Sequence, residues 1–145
     1  MASLLAPSVD ESVAELVLAT LQLQRRLRNV SNPDELSWSQ IAALARLEEI
    51  GAATTADLAR VEGVKPQSMG ALLATMEAEG LIERRPHPVD GRQVLFALTE
   101  EGMKTRKSYT LLKREWLANA IARLDPSDQQ ILAEAAALIR RIANY

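Results

Sequence analysis

The chain has no cysteine, a single histidine and few aromatic residues, with two Trp, two Tyr and one Phe among 145 residues. Without cysteine there can be no disulfide framework, no thiolate zinc site and no thiol redox sensor, a composition that fits a reducing cytosol. One histidine cannot build a His-based metal cluster, and neither a Gly-x-Ser-x-Gly elbow nor a phosphate-cradling Gly-x-x-x-x-Gly-Lys loop occurs. The usual nucleophiles, bases and cofactor cradles are missing, so neither an enzyme nor a cofactor or metal is expected. No apolar run approaches the roughly 18 residues that a membrane helix needs. Met1 to Pro7 lacks the basic start and long apolar core of a secretory signal. A soluble, cytoplasmic protein without a membrane partner is the expectation.

An excess of one charge is also absent. Seventeen basic residues face 19 acidic ones, giving a formal charge of −2. There is no global pull toward nucleic acid, and any DNA binding must rest on a local basic surface. Arg84, Arg85 and Arg92, set against Asp90, make one short segment positive. Many of the acids lie on predicted helices elsewhere.

What is present is a 48% hydrophobic content carried by Leu, Ile, Val and Ala. At this length one compact domain with a real core is expected, and the scarcity of aromatics favours packed helices over a sandwich. Val13, Leu16, Val17, Leu21 and Leu27 recur at helical steps in a first helix from Asp10 to Arg28, which Ser31-Asn32-Pro33-Asp34 breaks. Ser37 with Gln40 has the form of a capping box for a second helix, which Gly51 ends. After Thr99 a long helix is predicted to about Leu124, with Glu100 and Glu101 at the positive end of its dipole. Asp125-Pro126 then caps a last helix whose Ile131, Leu132, Ala135, Leu138, Ile139 and Ile142 form an apolar stripe.

The centre of the chain, Thr54 to Thr99, reads as helix, turn, helix and hairpin. A short helix capped by Thr54 or Thr55 runs to Val61, Gly63 allows a sharp turn, and Pro66 suits the first position of the next helix. On that helix Met69, Leu72, Leu73 and Met76 share one face, leaving Gln67, Gly70, Ala71, Ala74 and Ala78 on the other, flanked by Ser68 and Thr75. Gly80 closes it. Asp90-Gly91 is a hairpin turn signal between two extended segments, with Val94, Phe96 and Leu98 alternating toward the core. This order is that of a winged helix, a DNA-reading module. The fold class is therefore mainly α, a winged helix-turn-helix with a small β-hairpin wing, and the N- and C-terminal helices form a dimerisation platform. Its regions are 9–30 and 100–145 for the platform and 37–99 for the winged helix, within a single domain of 1–145.

These residues resemble the MarR family of bacterial transcription regulators. The resemblance rests on Gly80-Leu81-Ile82-Glu83-Arg84, on the wing segment Pro88-Val89-Asp90-Gly91-Arg92 and on Leu98-Thr99-Glu100-Glu101-Gly102, and it covers nearly the whole chain. It implies a homodimeric repressor on a pseudo-palindromic operator, with recognition helix 66–79 in the major groove and wing 84–94 in the minor groove. Release by a small aromatic ligand is also implied, with no ligand residues named. The family's wing pattern places Arg92 in the minor groove and gives Asp90 the task of holding it. Two departures stand out. Gly91 replaces a basic residue of the wing, and Gly70, Ala71 and Thr75 replace the Thr, Arg and Arg that members often show, shifting the weight to Lys65, Gln67, Ser68 and close backbone approach.

The candidate contacts differ in kind. Arg92 at a loop tip suits a narrow, electronegative minor groove. Gln67 suits bidentate pairing with adenine, while Lys65 and Ser68 suit phosphates. Gly70, costing about 1 kcal/mol relative to Ala inside a helix, needs a reason, either close approach to DNA or packing against the preceding helix. Arg84 and Arg85 face opposite sides of the hairpin, one to meet a phosphate or an internal acid and the other solvated. His87 reads as an exposed wing residue or a phosphate contact, and Ser39 as a phosphate contact or a surface hydroxyl. The alternative to a DNA reader is a winged helix used for protein contact, which the uncharged helix face and the net negative charge favour.

Overall fold

The computed structural model describes residues 7–145. The reading of the extreme N-terminus falls, but for Pro7, outside them. Six helices and three short strands follow in the order α1 (Val9–Ser31), α2 (Trp38–Ile50), β1 (Ala52–Ala53), α3 (Thr55–Glu62), α4 (Pro66–Ala78), β2 (Ile82–Pro86), β3 (Val94–Leu98), α5 (Glu100–Ala122) and α6 (Pro126–Ala143). Among the described residues no helix is long and apolar enough to cross a membrane.

The chain divides into two compact units. One comprises residues 31–111, and the other the N-terminal segment to Val30 together with Leu112–Tyr145. The first holds the winged helix. Ser37 starts α2 with the predicted capping box, its hydroxyl accepting the Gln40 amide at 3.2 Å while the Gln40 side chain accepts the Ser37 amide at 2.8 Å. The amide group of Gln40 does a second job, donating to Glu79 at 2.8 Å and so pinning α2 to the end of α4. Thr54 caps α3 through the Asp57 amide at 3.1 Å. Gly63 ends that helix at φ +65°, a left-handed conformation open to glycine at no steric cost.

The core of this unit is aliphatic. Leu44 and Leu47 of α2, Leu58 of α3, and Met69, Leu73 and Met76 of α4 are almost wholly buried, with Ile82 of the sheet joining them. Each such side chain contributes about 1.5–3 kcal/mol by leaving water. The predicted face of α4 is thus the buried one, with Leu72 half-buried at its edge.

The sheet has three strands where sequence reading gave two. Its order is β1-β3-β2, all antiparallel, with Ala53 opposite Phe96 and Arg84 opposite Phe96 from the other side. Two consecutive alanines carry no alternation, so β1 exists only because β3 supplies distant backbone partners. The added strand also changes the burial of β3. Phe96 and Leu98 are buried as expected, Ala97 is buried between them, and Val94 at the outer end of the hairpin is exposed.

Helix α5 opens under Thr99, whose hydroxyl accepts the Gly102 amide at 3.0 Å and donates to the Gly80 carbonyl. Its first half is tied to α2 by an Arg106–Glu48 ion pair at 2.7 Å, and the same guanidinium lies 5.8 Å from the ring centre of Tyr109. Arg106 is therefore a strut between α2 and α5.

The second unit holds α1 to Val30, the later half of α5 and α6. A capping box that sequence reading missed starts α1. The Ser8 amide donates to the Glu11 carboxylate at 2.8 Å, and the Ser8 hydroxyl accepts the Glu11 amide. The Ser8 amide first, and its hydroxyl second, hold the Glu11 carboxyl below the usual carboxylate range. Arg26 of α1 lies 5.6 Å over the Trp116 ring of α5. Pro126 occupies the first turn of α6 as predicted, although Asp125 takes the cap conformation without a side-chain hydrogen bond. The apolar stripes of this unit are not buried in the single chain. Val13, Val17 and Leu21 of α1 and Ile131, Leu138 and Ile142 of α6 are all more than half exposed.

Candidate nucleic-acid interface

The recognition helix α4 presents a polar, nearly uncharged face. Gln67, Ser68, Ala71, Ala74 and Thr75 are exposed, and the Thr75 hydroxyl donates back to the Ala71 carbonyl at 3.1 Å. Lys65 takes the cap position without a side-chain hydrogen bond, and Pro66 follows it. The first amides of α4 are thus left to solvent or to an anion beside a lysine, the arrangement that suits a phosphate.

Gly70 sits where α4 passes the start of α3. A Cβ built on it meets only the Thr55 Cγ2, at 3.9 Å, which is ordinary contact. Packing against the preceding helix therefore does not require glycine here. Gly70 also lines a shallow groove of about 420 Å³, together with Thr54, Thr55 and Ala56 of the α3 start and Arg84, Gln93 and Val94 of the wing. This groove joins the helix-turn-helix to the hairpin. Thr54 and Thr55 read from the sequence only as helix caps and Gln93 not at all, because only tertiary pairing brings them beside Gly70.

The two strand arginines face opposite ways, as their adjacency requires, but both hold an acid. The Arg84 Nε donates to the Glu77 carboxylate of α4 at 2.9 Å, with the guanidinium 5.5 Å from the centre of the Phe96 ring. Arg85 pairs with Glu83 at 2.9 Å and so is not simply solvated. Arg84 thereby braces the wing against the recognition helix. Such exposed pairs contribute little to stability, typically less than about 1 kcal/mol, so their effect is on geometry.

The tip of the wing is held by side-chain acceptors. Asp90 accepts the main-chain amide of Arg92 at 3.0 Å and takes the Gln93 side-chain amide at 3.3 Å. Asp90 thus positions Arg92 through its backbone, leaving the exposed guanidinium to point elsewhere. Half-buried His87 turns Nδ1 toward the loop's own amides, accepting from Asp90 at 3.0 Å and Val89 at 3.2 Å. Among the described residues neither Lys65 nor Arg92 carries an ion pair. Ser39 of α2 lies apart from the wing but shares a hollow of about 410 Å³ with Ser68, Val64 and the half-exposed Trp38, beside the start of the recognition helix. Elsewhere, Tyr109 is buried and Trp116 half-buried. No cluster of potential metal ligands occurs among the described residues.

A three-stranded wing fused to a helix-turn-helix, with small and polar residues outward on the second helix, defines the winged-helix class of transcription regulators. A model of the MarR family matches residues 36–94, the segment that contains this site. An HTH-type transcriptional regulator of Mycobacterium tuberculosis is 40% identical over 126 residues, spanning 87% of this chain and 88% of its own. The crystal structure of RV1404 from the same organism superposes with a TM-score of 0.84 at 25% identity, covering 96% of this chain and 97% of that one. A Staphylococcus aureus MepR mutant bound to an oligodeoxyribonucleotide shares the fold, with a TM-score of 0.73 at 17% identity over 90% of this chain and 97% of its own. The chain belongs to the MarR family of transcriptional regulators, and its work is DNA-binding regulation rather than catalysis.

Proposed function

We propose that the protein is a homodimeric repressor that grips a pseudo-palindromic operator, with helix 66–79 in the major groove and wing 84–94 in the minor groove. The observation that carries this reading is the groove in which Gly70, the α3 start and the wing strands meet, because it makes helix and hairpin one continuous concave surface. Lys65, Ser68 and the open α4 amides take phosphates, with Ser39 as a further hydroxyl near them. Gln67 and Thr75 face base edges, and Arg92 enters the minor groove on a turn set by Asp90. The exposed apolar stripes of α1 and α6 support a two-fold partner, since patches of this kind on a soluble chain mark an interface. In this scheme residues 1–145 act as one functional domain, with 9–30 and 100–145 serving dimerisation and 37–99 serving DNA. A small aromatic effector that lowers DNA affinity completes the scheme, and quenching of Trp38 or Trp116 fluorescence on titration would report its binding.

Fluorescence anisotropy with duplex DNA from the region beside the protein's own gene, over a series of salt concentrations, tests the proposal. Tight binding that weakens steeply with salt supports it, because phosphate neutralisation releases counterions. Absence of salt-sensitive binding would instead favour the protein-contact module, the reading supported by the uncharged face of α4 and the net charge of −2.

A further inference from the structure

We propose that His87 is a positioning residue of the wing, and that the requirement for its neutral imidazole makes operator binding weaken on acidification. The inference rests on the DNA-reading assignment above and concerns the same wing. It starts from two hydrogen bonds. Nδ1 of His87 accepts the amides of Asp90 at 3.0 Å and of Val89 at 3.2 Å. Pro88, which separates His87 from Val89, has no amide proton, so these are the first donors the turn can offer.

A ring nitrogen accepts only while it carries a lone pair. In the imidazolium both nitrogens are donors, and a proton on Nδ1 would face two N–H groups and leave both without an acceptor. The next links of the chain depend on the first. The Asp90 amide is fixed by His87, the Asp90 carboxylate holds the Arg92 amide at 3.0 Å, and the Asp90 carbonyl takes the Gln93 amide at 3.0 Å. Losing the His87 acceptor frees the segment that aims Arg92.

The charges around the turn do not replace that acceptor. Asp90 is engaged with Arg92 and Gln93, Arg85 with Glu83, and Arg84 with Glu77 from α4, while β3 contributes no ionisable side chain. His87 is the chain's only histidine, the side-chain type whose protonation commonly changes near neutrality, and the chain has no cysteine. A His87 that touched a phosphate directly would behave in the opposite way, gaining affinity and salt dependence on protonation.

The test uses the full-length protein, the duplex beside its own gene and constant ionic strength, comparing about pH 8 with about pH 5.5. Wild-type affinity is expected to fall about tenfold, the effect of two lost hydrogen bonds on a positioned contact. His87→Ala should be weak at both values. In His87→Asn the side-chain Oδ1 takes the place of Nδ1, accepting the same amides but unable to bind a proton, so it should restore most of the affinity and remove the pH dependence. In the free protein, the NMR signals of the Val89 and Asp90 amides should move with pH in wild type and stay fixed in His87→Asn. Rising affinity on acidification, pH dependence retained in His87→Asn, or amides that ignore pH would each overturn the inference. Amides that titrate in a protein that binds no DNA would uphold the His87 cap and overturn the DNA reading.

Discussion

Gly102 lies against the main-chain carbonyl of Leu81, so closely that a Cβ built on it would overlap the Leu81 oxygen. The same junction carries the Thr99 amide, which donates to that oxygen at 3.1 Å, and the Thr99 hydroxyl, which donates to the Gly80 carbonyl. The first turn of α5 is thereby clasped to the turn that ends the recognition helix. Gly102→Ala must push backbone against backbone and is expected to destabilise the protein by about 2–3 kcal/mol, at the upper end for overpacking. Urea denaturation would show it as a lower midpoint with an unchanged slope, and an unshifted midpoint would contradict the clasp.

Arg92 makes no ion pair among the described residues, and its turn is organised by Asp90 through the backbone. Arg92→Ala is expected to weaken operator binding at least several-fold and to reduce the salt slope by about one. The dimer and the far-ultraviolet circular dichroism should be unchanged. Equal affinity would remove the wing from the interface.

Gly70 offers a substitution in which stability and binding should move apart. An added methyl meets only Thr55 Cγ2 at 3.9 Å, so Gly70→Ala should stabilise the helix by about 1 kcal/mol. If the bare backbone is there to approach DNA, operator affinity should nevertheless fall. A more stable protein with undiminished affinity would show that Gly70 has no part in binding.

Val17 and Ile142 are each more than half exposed in the single chain. Charging them should spare the fold of the protomer while preventing association. Val17→Glu and Ile142→Glu are expected to sediment as monomers with native helicity and to bind the operator far more weakly, because two half-sites are no longer engaged together. A dimer that survived both changes would place the interface elsewhere.

Much of this architecture is legible in the amino-acid sequence. Helix boundaries follow from local chemistry, with Ser37 and Gln40 bonding reciprocally, Gly63 taking a left-handed turn and Pro66 opening α4 where the sequence places them. The buried face of α4 follows from the spacing of Met69, Leu73 and Met76. Other features could not be read in this way. The strand at Ala52-Ala53 carries no pattern of its own and forms only by pairing with β3.

The site divides along the same line. Which residues are polar, basic or small at each turn and strand position is legible along the chain, because periodicity and capping act within a few residues. How those residues are used depends on the groups they meet in the folded chain. Arg84 became a brace because Glu77 sits across from it, His87 an acceptor because the loop turns its amides inward, and Gly102 a close contact because Leu81 folds back onto it. Each depends on groups meeting in space, and composition or spacing along the chain does not specify such meetings.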